Sequence, residues 1–339
     1  MINLPFLKKN TQRSIGLDIG NSQIKVVEIS ASGNSLEILN LGMKSISQGQ
    51  DVPQVVKGLF KEANISGKEV NISVSGDDVV ARYISLPNMN DEELKKAMAF
   101  ELEDHIPFKA SEVYMDYTIL GEEPKSKNRM RVFLVATKKE AVENKLKLVR
   151  ESGLQAKAVT TDALVLKNAF YFNYPSKEKA NIAVLNIGEK FTNLIICREG
   201  VPYFVRDTHF GGEVITSLLQ TKAGLDKAKA EELKCNLKDA SEDVIRTVKA
   251  AFATLLNEIF ISIDFYENLT EQRINEVYLC GGSAKLFGLK EFLSGYLGIE
   301  IIDLDSFKNL GFSSRLSKDV IAKLSAYMTV AVGLALYGD

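Results

Sequence analysis

The chain has 339 residues, 45% of them apolar, enough for two ordinary domains with their own cores. Its 44 acidic and 42 basic side chains nearly cancel, and a net charge of -2 gives no general attraction to nucleic acid or anionic lipid. Scattered Cys197, Cys235 and Cys280, with His105 and His209, exclude a clustered zinc site, and the cysteines read as buried free thiols.

Residues 1–10 lack the long apolar region of a signal peptide. Residues 14–18 form a short apolar strand, which Gly20-Asn21-Ser22 turns into a second strand over 23–30. A third strand over 36–46 follows the turn formers Ser32-Gly33-Asn34. Val55, Val56, Leu59 and Phe60 give residues 53–63 a helical spacing, and alternating Val70, Ile72 and Val74 make 69–75 a strand. Asn90 caps a helix whose first turn is Asp91-Glu92-Glu93, which carries Leu94, Met98 and Leu102 on one face and ends at Ile106-Pro107. Strands over 113–120 and 130–137 are joined by a polar loop, 121–129, and a helix over 138–152 stops near Gly153. Residues 86–158 therefore read as a small inserted α/β subdomain.

The second half repeats the opening plan. Residues 181–186 are an apolar strand, Gly188-Glu189-Lys190 a turn and 192–198 the return strand; Glu199-Gly200 turns again into 201–207. Asp18-Ile19-Gly20-Asn21 aligns with Asn186-Ile187-Gly188-Glu189, which predicts an internal duplication with a cleft between the halves. Helices follow over 214–220 and 230–234, and a long helix over 242–269 reads as a buried spacer. A strand over 276–280 leads through Gly281-Gly282-Ser283-Ala284-Lys285 into a helix over 286–297. The most apolar stretch, 326–337, is too short to cross a bilayer of ~30 Å.

The glycine turns at strand ends are the candidate chemistry. Gly20 lets backbone amides approach an anion, Asn21 and Ser22 add side-chain donors, and Lys25 adds charge where it faces the cleft. Asp18 suits a magnesium ion held through its water shell, since Mg²⁺ prefers a few carboxylates plus phosphate oxygens. Gly188, Glu189 and Thr192 form the opposing turn, and two such hairpins make a phosphate clamp. Gly211-Gly212-Glu213 open a helix whose N-terminal amides are a further anion site. Glu231 and Lys234 share a helix face at i, i+3; the plain alternative for them is a solvated ion pair. Gly281 and Gly282 let the chain pass close to a flat ligand, with Ser283 and Lys285 beyond, although Gly-Gly is also ordinary turn chemistry. No Walker loop, G-x-S-x-G elbow or H-E-x-x-H helix occurs.

This ordered set resembles the actin and sugar-kinase superfamily from end to end. The resemblance implies an α/β, actin-like ATPase fold of two duplicated ribonuclease-H-like halves that bind ATP with Mg²⁺. It gives the two hairpins the phosphates, Glu231 and Lys234 the ribose, and Gly281 to Lys285 the adenosine. Asp18, and Asn186 opposite it, become the metal-side positions. The place of the insertion resembles the FtsA/PilM branch. Leu86-Pro87-Asn88-Met89-Asn90-Asp91-Glu92-Glu93-Leu94, Phe100-Glu101-Leu102-Glu103, Ile106-Pro107-Phe108 and Asp116-Tyr117-Thr118-Ile119-Leu120 are similar to the PilM family in particular. The implied domains are 14–85 with 159–180, the insertion 86–158, and the second half 181–339.

PilM resemblance implies a cytoplasmic platform of the type IV pilus inner-membrane assembly complex. It would bind the N-terminal cytoplasmic peptide of PilN in a groove involving residues 86–120, and connect the PilN/PilO complex with the pilus motor ATPases. Its place would be peripheral to the inner membrane through these partners, without direct membrane insertion and without nucleic acid. The alternative is an FtsA-like cell-division scaffold or filament former, disfavoured because the chain stops after its last core helix without an amphipathic anchor. The leader Met1-Ile2-Asn3-Leu4-Pro5 looks like a PilN-type docking peptide, which offers self-association through a neighbour's groove as an alternative to a free leader. Where the family commonly has an aspartate this chain has Asn186, so weak or absent ATP turnover is expected, with Glu189 compensating where it points into the cleft.

Overall fold

The computed structural model describes residues 13–32, 35–47, 49–123 and 126–337. The leader 1–5 and the turn residues Gly33 and Asn34 lie outside them. The first half opens on strands β1 (Arg13–Ile19), β2 (Gln23–Ser32) and β3 (Ser35–Ser45), then helix α1 (Val52–Glu62) and strand β4 (Glu69–Val74). Next come β5 (Val79–Pro87), α2 (Asp91–His105), β6 (Val113–Glu123), β7 (Ser126–Lys138), α3 (Lys139–Glu151), β8 (Gln155–Thr161) and α4 (Asp162–Asn173). The second half has β9 (Ile182–Ile187), β10 (Thr192–Arg198) and β11 (Val201–Thr208), then α5 (Gly212–Ala223), α6 (Lys227–Cys235) and α7 (Glu242–Thr270). The remaining elements are β12 (Glu276–Cys280), α8 (Leu289–Leu297), β13 (Glu300–Asp303), β14 (Gly311–Phe312), α9 (Lys318–Leu324) and α10 (Thr329–Ala335).

Two sheets share one plan. Their strand orders are β14-β3-β2-β1-β4-β8 and β11-β10-β9-β12-β13. In each, three antiparallel strands in sequence are followed by two parallel additions beside the first strand. Register is also repeated: Asp18 faces Lys25 across β1 and β2, and Asn186 faces Asn193 across β9 and β10. The duplication expected from the two hairpins is therefore present in the hydrogen bonding, and the fold is the actin-like α/β fold.

Alternation within β9 explains why its run of apolar residues is a strand. Ala183, Leu185 and Ile187 pack with Leu255 and Ile259 of α7, while Ile182 and Val184 pack with Leu166 and Phe170 of α4. A strand covered by helices on both faces needs apolar residues at every position.

The third sheet, β5-β7-β6, belongs to the insertion, and its boundaries differ from the expected 86–158. β5 pairs with β7 from Val79 opposite Thr137, so the subdomain starts seven residues earlier, at 79 instead of 86. α3 buries Val149 in the core that holds Val55 and Leu59, and β8 pairs with β4. Both elements thus serve the first sheet, and the insertion is 79–138. The reason is edge availability: the open side of β4 accepts β8, which a count along the chain does not reveal. Helix α2 lays Leu94, Met98 and Leu102 on this small sheet against Ile84, Val132 and Leu134, as its spacing predicts. The expected loop 121–129 is instead mostly strand, since pairing continues to Glu123 opposite Ser126.

The C-terminal segment also departs from the expected second half. β14 pairs with β3, and α10 buries Ala331, Val332 and Ala335 beside Val27 and Ile29 of the first half. α10 lies so close to β1 that a Cβ on Gly16 would sit 2.1 Å from the Ala331 carbonyl oxygen. Helix α7 is not wholly buried: Val248, Phe252 and Leu255 face the core, but Phe260, Ile261, Phe265 and Leu269 are exposed. It is apolar around most of its last turns, whereas the sheet covers a single side. Cys197 and Cys280 are buried as expected, but Cys235, at the end of α6, is exposed. Among the described residues, no helix is long and apolar enough to cross a membrane.

Candidate functional site

A cleft of ≈ 1070 Å³ separates the two halves. Both hairpins line it, together with the Gly281-Gly282-Ser283 turn, Glu231 and Lys234 of α6, and Lys145 of α3. The hairpins close in the same way: the Gly20 amide donates to the Gln23 carbonyl at 3.0 Å, and the Gly188 amide to the Phe191 carbonyl at 2.9 Å. Asn21, Ser22 and Glu189 lie at these tips, facing the same space.

Charge divides the duplicated positions. In the first hairpin, Lys25 Nζ donates to Asp18 Oδ2 at 3.0 Å, as a largely buried ion pair. In the second, Asn186 Nδ2 donates to Asn193 Oδ1 at 2.8 Å, and Asn193 donates to Asp207 Oδ1 at 2.8 Å. Asp207 Oδ2 accepts from the Gly76 amide, also at 2.8 Å, which ties this relay to the other half. The Asn186 side chain, expected beside a metal, is thereby engaged by its own sheet. It still lines the cleft wall.

The sequence reading missed Asp162, which opens α4 at the cleft floor. Its Oδ1 accepts from the Ser73 hydroxyl at 2.6 Å. Burial pushes its carboxyl up to about 6, and Asp18 adds to the rise while Ser73 and Ser75 hydroxyls oppose it. Asp162 directly follows strand β8 and opens α4, a strand-to-helix junction that the polar run Thr160-Thr161-Asp162 only weakly marks in the sequence. Lys145 was missed as well; it donates to the Ile19 carbonyl, and burial pushes its amine below the ordinary lysine range despite nearby Asp18 and Asp162. A lysine on a lysine-rich amphipathic helix carries no such signal.

Beside the second hairpin, Lys234 is buried and donates to Glu231 Oε1 at 2.8 Å and to the Thr216 hydroxyl at 2.9 Å. The pair is therefore not the solvated ion pair of the plain alternative. Glu189 Oε2 lies 3.9 Å from the same amine; burial raises the Glu189 carboxyl, and Lys234 partly offsets this. Gly281 has φ +96°, and a Cβ there would meet the Ile187 carbonyl oxygen at 2.4 Å. The Ser283 hydroxyl donates to the Gly188 carbonyl at 2.8 Å, joining this turn to the second hairpin. Tyr327, also missed, lies beside Gly282 on the cleft wall. Lys285 stands on the rim, half-exposed, 3.8 Å from Asp303.

The expected anion site at the start of α5 is not open. The Gly212 amide donates to the Gly188 carbonyl at 3.0 Å and the Glu213 amide to the Glu189 carbonyl at 2.9 Å. Gly211 is pressed against Glu189, where a Cβ would sit 2.2 Å from its carbonyl oxygen. Thr192 is buried, donating to the Phe210 carbonyl at 2.7 Å. Gly211, Gly212, Glu213 and Thr192 thus brace the second hairpin from behind, and the four are not among the residues lining the cleft.

Among the described residues, no group of three or more His, Cys, Asp or Glu side chains is arranged to hold a metal by itself. Asp18 and Asp162 instead suit a cation that brings its own phosphate and water ligands. The volume of the cleft, its amide-bearing hairpins and its lysines fit a nucleotide polyphosphate.

A family model described as type IV pilus assembly protein PilM matches residues 16–338. Among solved structures, the PilM-PilN type IV pilus biogenesis complex is similar at TM-score 0.85 and 25% identity, over 95% of this chain and 97% of that chain. The ethanolamine utilization protein EutJ from Carboxydothermus hydrogenoformans has TM-score 0.54 and 14% identity, over 100% of this chain and 94% of that chain. MreB 5 of Spiroplasma citri, bound to AMPPNP, has TM-score 0.51 and 10% identity, over 96% of this chain and 95% of that chain. The last two bear on the fold alone.

Proposed function

The chain belongs to the type IV pilus assembly protein PilM family, and on that premise we propose that it is a nucleotide-gated binding platform. It holds ATP with Mg²⁺ in the cleft and the N-terminal cytoplasmic peptide of PilN on its inserted subdomain. The observation that carries the nucleotide part is the convergence of two equivalent hairpins and a Gly-Gly turn on one cleft. Backbone amides of Asn21 and Glu189, at the tips that Gly20 and Gly188 close, face the phosphates, with Ser22 and Lys25 in support. Glu231 and Lys234 hold the ribose, and Gly281, Gly282, Ser283 and Tyr327 line the place of the base, with Lys285 at its rim. Asp18 and Asp162 hold the metal through water. When bound, magnesium supplies neutralisation of phosphate charge.

Turnover is weak in this reading. Asn186 replaces a carboxylate, and its bond to Asn193 holds it in the relay to Asp207. ATP is then mainly a conformational ligand, which shifts the platform by binding one arrangement of the halves better than another.

The peptide part is supported by the similarity to the PilM-PilN complex over nearly the whole chain. Strand β6 is an edge of the small sheet and exposes Tyr114, Met115 and Ile119, which suits an extended peptide with apolar anchors. Through PilN the protein sits on the cytoplasmic side of the inner membrane and reaches PilO and the pilus motor ATPases. A labelled PilN-type peptide, titrated with and without Mg-ATP beside an FtsZ C-terminal peptide, tests this. Micromolar or tighter binding to the first alone is expected; binding only to the second would move the protein to cell division.

A further inference from the structure

The cations of the cleft are not equivalent. Lys25 is paired with Asp18 at 3.0 Å, Lys138 with Asp78 at 2.8 Å and Lys234 with Glu231 at 2.8 Å. Lys190 and Lys227 are exposed at the rim. Lys145 differs from all of these. Its amine is partly buried in the wall and donates to a neutral acceptor, the Ile19 carbonyl of the first hairpin. No carboxylate among the described residues lies within 4.0 Å of it. Asp18 and Asp162 both act on it from further away, but each has a partner already, Lys25 for the first and Ser73 for the second.

An ammonium group has three donors, and a desolvated one without a matched anion is poorly compensated. The amine of Lys145 is bonded to the first hairpin at Ile19, whereas Lys234 lies against the second, 3.9 Å from Glu189. A ribose at Glu231 and Lys234, with phosphates between the hairpins, points the end of the phosphate chain toward Lys145.

The position of α3 gives this residue a second meaning. The helix starts at Lys139, directly after β7 ends at Lys138, and it packs in the core of the first sheet. It is therefore one of the two covalent links between the cleft wall and the inserted subdomain, the other being the segment 75–78 between β4 and β5.

We propose that Lys145 reads the terminal phosphate of a nucleoside triphosphate, and that α3 conveys its presence to the inserted subdomain. The inference rests on the nucleotide reading of the cleft. A terminal phosphate exchanges a neutral partner of the amine for a charged one, which favours triphosphate over diphosphate by ~10–100-fold.

The test measures ATP and ADP affinities, both with Mg²⁺, for the full wild-type chain, Lys145→Met and Lys145→Arg. Wild type is expected to prefer ATP. Lys145→Met should lose about tenfold or more for ATP and at most about threefold for ADP, and Lys145→Arg should keep the preference because it keeps the charge. An equal loss for both nucleotides in Lys145→Met would make the residue a brace for the first hairpin and overturn the proposal. Equal ATP and ADP affinity in wild type overturns it without any variant, which covers the case in which Lys145→Met does not fold. Wild type that binds neither nucleotide is a different result, because it removes the nucleotide reading itself. Hydrogen exchange in wild type tests the relay: ATP should slow exchange in 139–151 more than ADP does. Identical protection would discard the role of α3.

Discussion

Asp18 and Asn186 hold the same register position in the two halves and differ by one charge. That difference sorts their neighbours: a lysine faces the aspartate, and a second amide faces the asparagine. In the proposed reading, metal attraction therefore falls to Asp18 with Asp162. Asp18→Asn is expected to weaken Mg-ATP binding about tenfold while leaving metal-free ATP binding nearly unchanged, as titrations with and without magnesium would show. Asp162 makes a prediction about pH. Its carboxyl binds a proton more tightly in the fold, at about 6, than its ordinary value of 3.8. The stabilising effect of that proton is complete below about pH 4 and is lost as pH rises through about 6. The shift corresponds to at most about 3 kcal/mol. Asp162→Asn should thus raise stability in urea unfolding by ~1–3 kcal/mol at pH 8 and much less at pH 4. An equal gain at both values would show that this carboxyl does not titrate there.

Among the elements, α2 and α10 show how local and distant forces divide the work. Helix α2 is fixed at its start by a complete capping box, with Asn90 accepting from the Glu93 amide and Glu93 accepting from the Asn90 amide, each at 3.0 Å. Asn90→Ala should cost about 1 kcal/mol in urea unfolding, a loss that the burial of Leu94, Met98 and Leu102 tolerates. Helix α10 is only seven residues long and would not persist alone. It exists because it is wedged between α4 and the first sheet, with its backbone against Gly16. Gly16→Ala forces that contact apart and is expected to destabilise by about 1–3 kcal/mol, read as a lowered melting temperature. A side chain tolerated there would mean that α10 lies further from β1.

For the whole molecule, the two halves meet through the apolar packing of α4 on β9 and, in addition, through polar and aromatic contacts. Asp207 holds the Gly76 amide, His209 is paired with Asp77, and Tyr83 of the insertion stacks on Tyr203 of β11 at 5.0 Å between ring centroids. A nucleotide bound by both hairpins adds a further bridge on the open side. At about 100 times its Kd, Mg-ATP should raise unfolding free energy by ~2.7 kcal/mol within one cooperative transition. If two transitions appear and ATP shifts just one, the ligand is held by a single half.

The duplication, the hairpin tips and the Asn90 cap were legible in the sequence because each is written within a few neighbouring residues. Periodicity fixed the strands of both halves, and the position of Gly20 and Gly188 after apolar strands located the cleft's opposing turns. Other features required the tertiary structure because they depend on pairing between distant segments. Which edge accepts β5 or β8 decides the insertion's limits, and the return of α10 to the first half follows from an uncovered sheet face. The amides of Gly212 and Glu213 look free in the sequence, yet carbonyls more than twenty residues earlier occupy them. Lys145 acquires its role only because α3 lies along the cleft wall. A chain records its local preferences directly, whereas the environment of a charge is set by whatever the fold brings beside it.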